Sequence, residues 1–215
     1  MNIEQAAQQA ILNQLVQSRA GQTLLLSITV AGEEADEGLT YDQVIEFIDD
    51  QKLAQMSIRH HEDEMRHAAL FRGCLTRLGL EYAELPEELR IVQRIRNISG
   101  AYFNGVHTPQ NMVDICAMTY VIEQRGIQHY TAWANAFDLV DKETAETYRA
   151  VIREEEYHLH VCTTIGQHYA GGEDGWKQAL EKAFALETKA MLGFGAACMN
   201  YLVAQKAALD SGSLQ

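Results

Sequence analysis

The sequence predicts an all-α protein. Three observations lead there: apolar residues recur at three and four along almost the whole chain, no stretch alternates like a half-buried strand, and 215 residues include only two prolines. A hydrophobic share of 47% is enough for one domain, residues 1–215, with a substantial core.

Each element has a local reason. A first helix is expected to start near Ile3, and an amphipathic stretch follows from about Gln22 to Ile48. Thr40, Tyr41, Asp42 and Gln43 resemble a capping box, but Asp49 and Asp50 offer a competing start for the run QKLAQMSIRHHEDEMRHAALFRGCLTRLG, which stops at Gly79. The segment GLEYAELPEEL connects to a short helix ending near SGAYFNG. Thr108 as N-cap and Pro109 as first helical residue open a helix to about Asp138. Asp141 caps the next, to about Tyr169, and a last helix spans roughly Trp176 to Leu209.

Composition narrows the function. A net charge of -13 repels a phosphate backbone, which argues against nucleic acid as substrate or partner. The longest apolar stretch, near AMLGFGAACMNYLVA, is shorter than a bilayer span, and MNIEQAAQQA lacks the basic start and apolar middle of a signal peptide, so a cytoplasmic protein is expected. Cys74, Cys116, Cys162 and Cys198 are scattered, with no C-x-x-C pair, so neither a zinc knuckle nor a rubredoxin-type iron site is encoded.

Two stretches carry the chemistry: HHEDEMRH at 60–67 and REEEYHLH at 153–160. Each holds a Glu-x-x-His, Glu64 with His67 and Glu155 with His158. Residues three apart share a helix face, so such a pair can reach one metal ion. One copy is expected about once by chance in a chain this rich in glutamate and histidine. Here both copies sit on inward stripes: Leu53, Met56, His60, Glu64, His67, Phe71, Cys74 and Leu78 on one helix, and Tyr148, Ile152, Glu155, His158, Cys162 and Tyr169 on the other. Glu62, Glu154 and Glu156 fall off these lines and are expected in solvent.

Further carboxylates should face the two motifs. Glu123 shares a stripe with Cys116, Tyr120, Ile127 and Tyr130, where an unpaired carboxylate would be costly. Glu33 lies in line with Leu26, Val30, Glu37 and Val44, with Glu34 as the adjacent alternative. Hairpin arithmetic tests the level of each pair. Glu123 and Glu155 have their midpoint at Leu139, beside the expected turn at Val140 and Asp141, and Glu33 and Glu64 have theirs near Ile48. A turn at Gly38 to Thr40 would offset Glu33 from Glu64 by on the order of 25 Å along straight helical arms. The reading therefore favours a helix that runs through Gly38 over the Thr40 capping box. The metal ligands expected are Glu33, Glu64, His67, Glu123, Glu155 and His158; Glu37, His60 and Tyr120 are candidates to support them from behind. Four carboxylates are neutralised by two divalent ions, and mixed carboxylate and imidazole ligation suits iron or manganese.

This order of residues resembles the ferritin-like di-iron carboxylate superfamily, in which one Glu from each of two helices joins a Glu-x-x-His from each of two others. AGEEA at 31–35 is similar to the first-helix segment of rubrerythrins, and EMRH at 64–67, IE at 122–123 and EEYHL at 155–159 are similar to aldehyde-deformylating oxygenases and tRNA-modifying di-iron hydroxylases. The resemblance covers roughly residues 22–170. It implies a four-helix bundle of two antiparallel hairpins joined by a long crossover, plus additional helices that include the C-terminal one at about 176–209. It further implies a non-haem di-iron oxidoreductase that activates O2 to oxidise or oxygenate a small organic substrate, with electrons from an external donor. Ferritin-like iron oxidation or storage, rubrerythrin-like peroxide reduction and dimanganese catalase activity are the rival readings. A homo-oligomer is compatible with any of them.

Overall fold

The computed structural model describes residues 3–34, 41–100 and 105–210. Among them every regular element is helical. In chain order these are α1 (Ile3–Leu15), α2 (Arg19–Glu33), α3 (Tyr41–Phe47), α4 (Gln51–Arg77), a 3-10 turn (Glu87–Leu89), α5 (Ile91–Ile98), α6 (Pro109–Phe137), α7 (Lys142–Tyr169), α8 (Glu173–Met191) and α9 (Phe194–Asp210). No helix among the described residues is long and apolar enough to cross a membrane.

The long helices end where their capping chemistry dictates. Asp50 accepts the backbone N–H groups of Lys52 at 2.8 Å and Leu53 at 3.1 Å to start α4. At its far end Gly79 turns left-handed, with φ 62°, and the Leu80 N–H returns to the Leu75 carbonyl at 2.8 Å. Thr108 caps α6 through the Asn111 N–H, with Pro109 as first residue, and Asp141 caps α7 through the Thr144 N–H.

The expected continuous helix from Gln22 to Ile48 is corrected at Glu34. The helix begins at Arg19, capped by Ser18, and Glu34 leaves helical geometry, with ψ 105°, so α2 stops at Glu33. The chain restarts as α3 at Tyr41; Thr40, Gly38 and Glu37 lie outside the described residues. The last helix is likewise two, divided at Leu192 and Gly193, whose φ is 77°.

Helices α6 and α7 form an antiparallel hairpin, α2 packs on α4, and α4 packs on α7. Their contacts make two apolar clusters. One contains Leu53, Val121, Val161 and Trp176, the other Val30, Phe71, Tyr130 and Val151. The two sets bracket residues 60–67 on α4, 123 on α6 and 155–158 on α7 in sequence. A polar layer is thus held between two hydrophobic ones, where it is shielded from water from above and below.

Candidate metal centre

The stripe that carries both motifs is buried as its periodicity requires. His60 is 2% exposed, Glu64 7%, and His67 and His158 are fully buried, with Glu155 at 1%. Glu33, the last helical residue of α2, is also buried and faces the same layer. Glu34 points elsewhere and pairs with Arg72, so Glu33 is the first-helix carboxylate of the cluster.

Two groups of donor atoms result, each within 4.8 Å: His60, Glu64, Glu123 and His158; and Glu33, Glu64, His67 and Glu155. Glu64 belongs to both. In the first, His60 Nε2 lies 3.1 Å from Glu123 Oε1, and His158 Nδ1 lies 2.9 Å from Glu64 Oε1. In the second, His67 Nδ1 is 3.1 Å from Glu33 Oε2 and 3.2 Å from Glu155 Oε1. Glu155 links the groups through its other oxygen, 2.7 Å from His158 Nδ1. All six expected ligands therefore fall within these two groups.

His60 is the seventh member. Its ring stacks on His158 at 3.9 Å between centroids, and its nitrogen stands among the donor atoms rather than behind them. Tyr120 takes no part: it packs edge-on against Trp176 in the apolar layer.

Two carboxylates that the stripes did not single out stand behind the imidazoles, one in a hydrogen bond and one in a longer ionic contact. His67 Nε2 donates to Glu154 Oε2 at 2.7 Å, and His158 Nε2 is 3.6 Å from Asp63 Oδ2. The Arg66 guanidinium bonds both acids, at 2.7 Å to Asp63 and 2.8 Å to Glu154. Glu154 is therefore not a solvated bystander. It fixes the His67 ring so that Nδ1 faces the cluster. Its long side chain reaches across from the flank of α7, a geometry that a one-helix stripe cannot register.

Burial and mutual repulsion set the protonation. Burial raises Glu123 to about 8, with Glu64 and Glu155 adding to it, and raises Glu33 well above the ordinary range. Burial would lower His67 and His158, but the close carboxylates, Glu155 with Glu33 for His67 and Glu155 with Glu64 for His158, outweigh it and push both to about 11. Burial would also raise Glu64, yet His158 and His60 hold it well below the carboxylate range. Without a cation, protons neutralise the layer, and they do so incompletely. Glu64 Oε1, though 2.9 Å from His158 Nδ1, is buried without an aligned hydrogen bond. An underused oxygen on the one residue common to both donor groups is a costly feature that a cation would resolve. The set of four carboxylates and three imidazoles, without a thiolate, could hold metal ions.

A largely apolar cavity of about 90 Å³ borders Glu33, Glu64 and Glu123 and runs between α2, α6 and the α8–α9 junction. A smaller one, about 30 Å³, lies beside His60, Cys116 and Cys162. Family models, curated proteins and solved structures yield no match to this chain.

Proposed function

We propose that the protein is a non-haem di-iron oxidoreductase that uses O2 to oxidise a small organic substrate, on a ferritin-like four-helix bundle formed by α2, α4, α6 and α7. The observation that carries this reading is the pair of buried donor groups sharing Glu64. Two iron ions held there would supply the two-electron couple that dioxygen reduction needs, and manganese suits the same donors.

The chain's own residues do the rest. Glu64 and Glu155 each touch donors of both groups, which holds the groups at a fixed separation. Tyr130 donates its hydroxyl to Glu33 Oε1 and so limits how that carboxylate can turn. Glu154, through His67, keeps one imidazole oriented as a ligand. The flanking apolar layers exclude water and stray reductants. In an oxygenase reaction a substrate C–H becomes C–OH, the second oxygen leaves as water, and an external donor provides two electrons with two protons from solvent. Scattered thiols offer no built-in electron carrier, so that donor is a separate partner.

An apolar cavity touching three of the carboxylates favours an organic substrate over iron storage or peroxide turnover, neither of which needs one. The test is metal content and dioxygen consumption after anaerobic loading with Fe(II). Wild type should hold two ions per chain and consume O2 when reduced. Glu64→Ala should lose both ions, because each group depends on it; two ions retained in that variant would overturn the assignment.

A further inference from the structure

One face of α6 is made by Ile122, Gly126, His129 and Trp133, which recur at three and four and line the cavity beside Glu33, Glu64 and Glu123. Gly126 stands in the middle of a 29-residue helix, where glycine costs about 1 kcal/mol relative to alanine. Nothing in the backbone requires it. It has no positive φ, and a Cβ built there would come no closer than 4.0 Å to any neighbour, Tyr130 Cε2. What the missing side chain leaves is room, one turn from Glu123. Gly32, next to Glu33 on α2, also borders the cavity, and a Cβ there would meet nothing within 4 Å.

The polar groups of the wall are mostly committed. Thr29 bonds the Leu25 carbonyl and Tyr148. Arg125 gives two N–H groups to Glu187, at 2.7 and 3.1 Å, and a third to Gln128. A substrate carboxylate or phosphate would therefore find its natural partner occupied by a buried acid. His129 differs. Its ring lies between Trp133 and Phe194, stacked at 5.4 and 6.4 Å, and it has no hydrogen bond to any described residue. Burial, aided by Arg125, lowers it to about 4, so it is neutral near pH 7 and offers one donor and one acceptor.

We propose that this cavity is the substrate site of the oxidase proposed above, and that its substrate is a small uncharged molecule. An apolar body lies beside Gly126, and a single hydroxyl or carbonyl group bonds the His129 imidazole. A 150 Å³ cavity holds benzene, so this one takes a body of roughly four heavy atoms.

The probe is 1-butanol, its binding followed by ligand-observed NMR on metal-loaded protein, with metal content measured in parallel. Wild type should bind it in the millimolar range, and Gly126→Ala should weaken binding several-fold while raising the melting temperature. Gly126→Leu should weaken it at least tenfold, with metal content unchanged. His129→Phe, which keeps the stacked ring, should weaken 1-butanol but not 1-chlorobutane, which lacks the hydroxyl. On metal-free protein, butyrate should bind more weakly than 1-butanol. The pocket is overturned if wild type binds no 1-butanol, or if Gly126→Ala leaves the affinity unaltered. The uncharged class is overturned if butyrate binds as tightly as 1-butanol. Intact 1-butanol binding in a loaded protein that consumes no O2 would instead sink the oxidase reading and leave the pocket standing.

Discussion

Each imidazole of the cluster is a proton store until a cation arrives. His67 and His158, pushed up to about 11 by the carboxylates around them, are imidazolium at neutral pH in the metal-free chain. A metal can bind Nδ1 only after that proton leaves. Uptake of two ions should therefore release at least one proton per imidazolium. Apparent affinity should rise with pH, roughly tenfold per pH unit for each proton displaced, because metal and proton compete for the same lone pairs. Calorimetric titration with Co(II) in buffers of differing ionisation enthalpy measures the release directly. A pH-independent affinity with no protons released would contradict this arrangement. The same residues show what sequence can reveal. Glu64, His67, Glu155 and His158 were legible because helical periodicity alone puts them on buried stripes. His60 shares the stripe but belongs to no Glu-x-x-His, so the spacing gives it a supporting role; in the structure its nitrogen lies within one of the two donor groups, 3.1 Å from Glu123.

At the level of helices, capping decided what could be read. Asp50, Thr108, Asp141 and Gly79 declare their helix ends by side-chain chemistry, and the structure uses all four. The end of α2 at Glu33 is not visible to arithmetic on straight helical rods. The midpoint near Ile48 gave the correct level for Glu33 and Glu64, but the chain reaches Asp50 through the separate helix α3. A signal was available in AGEEADEG: clustered carboxylates oppose the negative C-terminal end of a helix dipole, which favours a stop near Glu33 over continuation. Asp141 permits a quantitative test. It caps α7 and binds Arg77 of α4, and the Arg77 hydrogen bond holds its carboxyl down to about 2, from 3.8. Asp141→Ala should cost about 1–2 kcal/mol, cap and ion pair together. Because the folded value is depressed, this contribution is present above about pH 4 and fades as pH falls toward 2. Denaturant melts of the two proteins should differ at pH 7 and converge at the acid end. A gap of constant size would refute the ionic part.

The whole molecule is a polar layer between two apolar clusters, and that layering makes stability depend on what neutralises it. Four carboxylates with three imidazoles share protons in the metal-free chain, as the raised Glu33 and Glu123 require, and Glu64 Oε1 lies 2.9 Å from His158 Nδ1 without an aligned hydrogen bond. Divalent ions bind the folded arrangement and not the unfolded chain, where these residues are far apart, so they should stabilise by mass action. At a hundredfold excess over its dissociation constant one ion contributes about 2.7 kcal/mol. For a chain of 215 residues each kcal/mol moves the melting temperature by roughly 2–4 °C, so one site should yield a rise of about 5–10 °C and two sites more. Mn(II) suits the measurement because it matches the donor set and needs no exclusion of oxygen. Scanning calorimetry should show the rise on loading, its reversal by a chelator, and its absence in Glu64→Ala. The metal-free variant should melt below metal-free wild type, since His158 and His60 lose a buried partner, so the comparison rests on the rise caused by the ion in each protein. An equal rise in wild type and Glu64→Ala would mean that the ions bind at the acidic surface, and that the buried layer is a proton-linked core and not a metal centre.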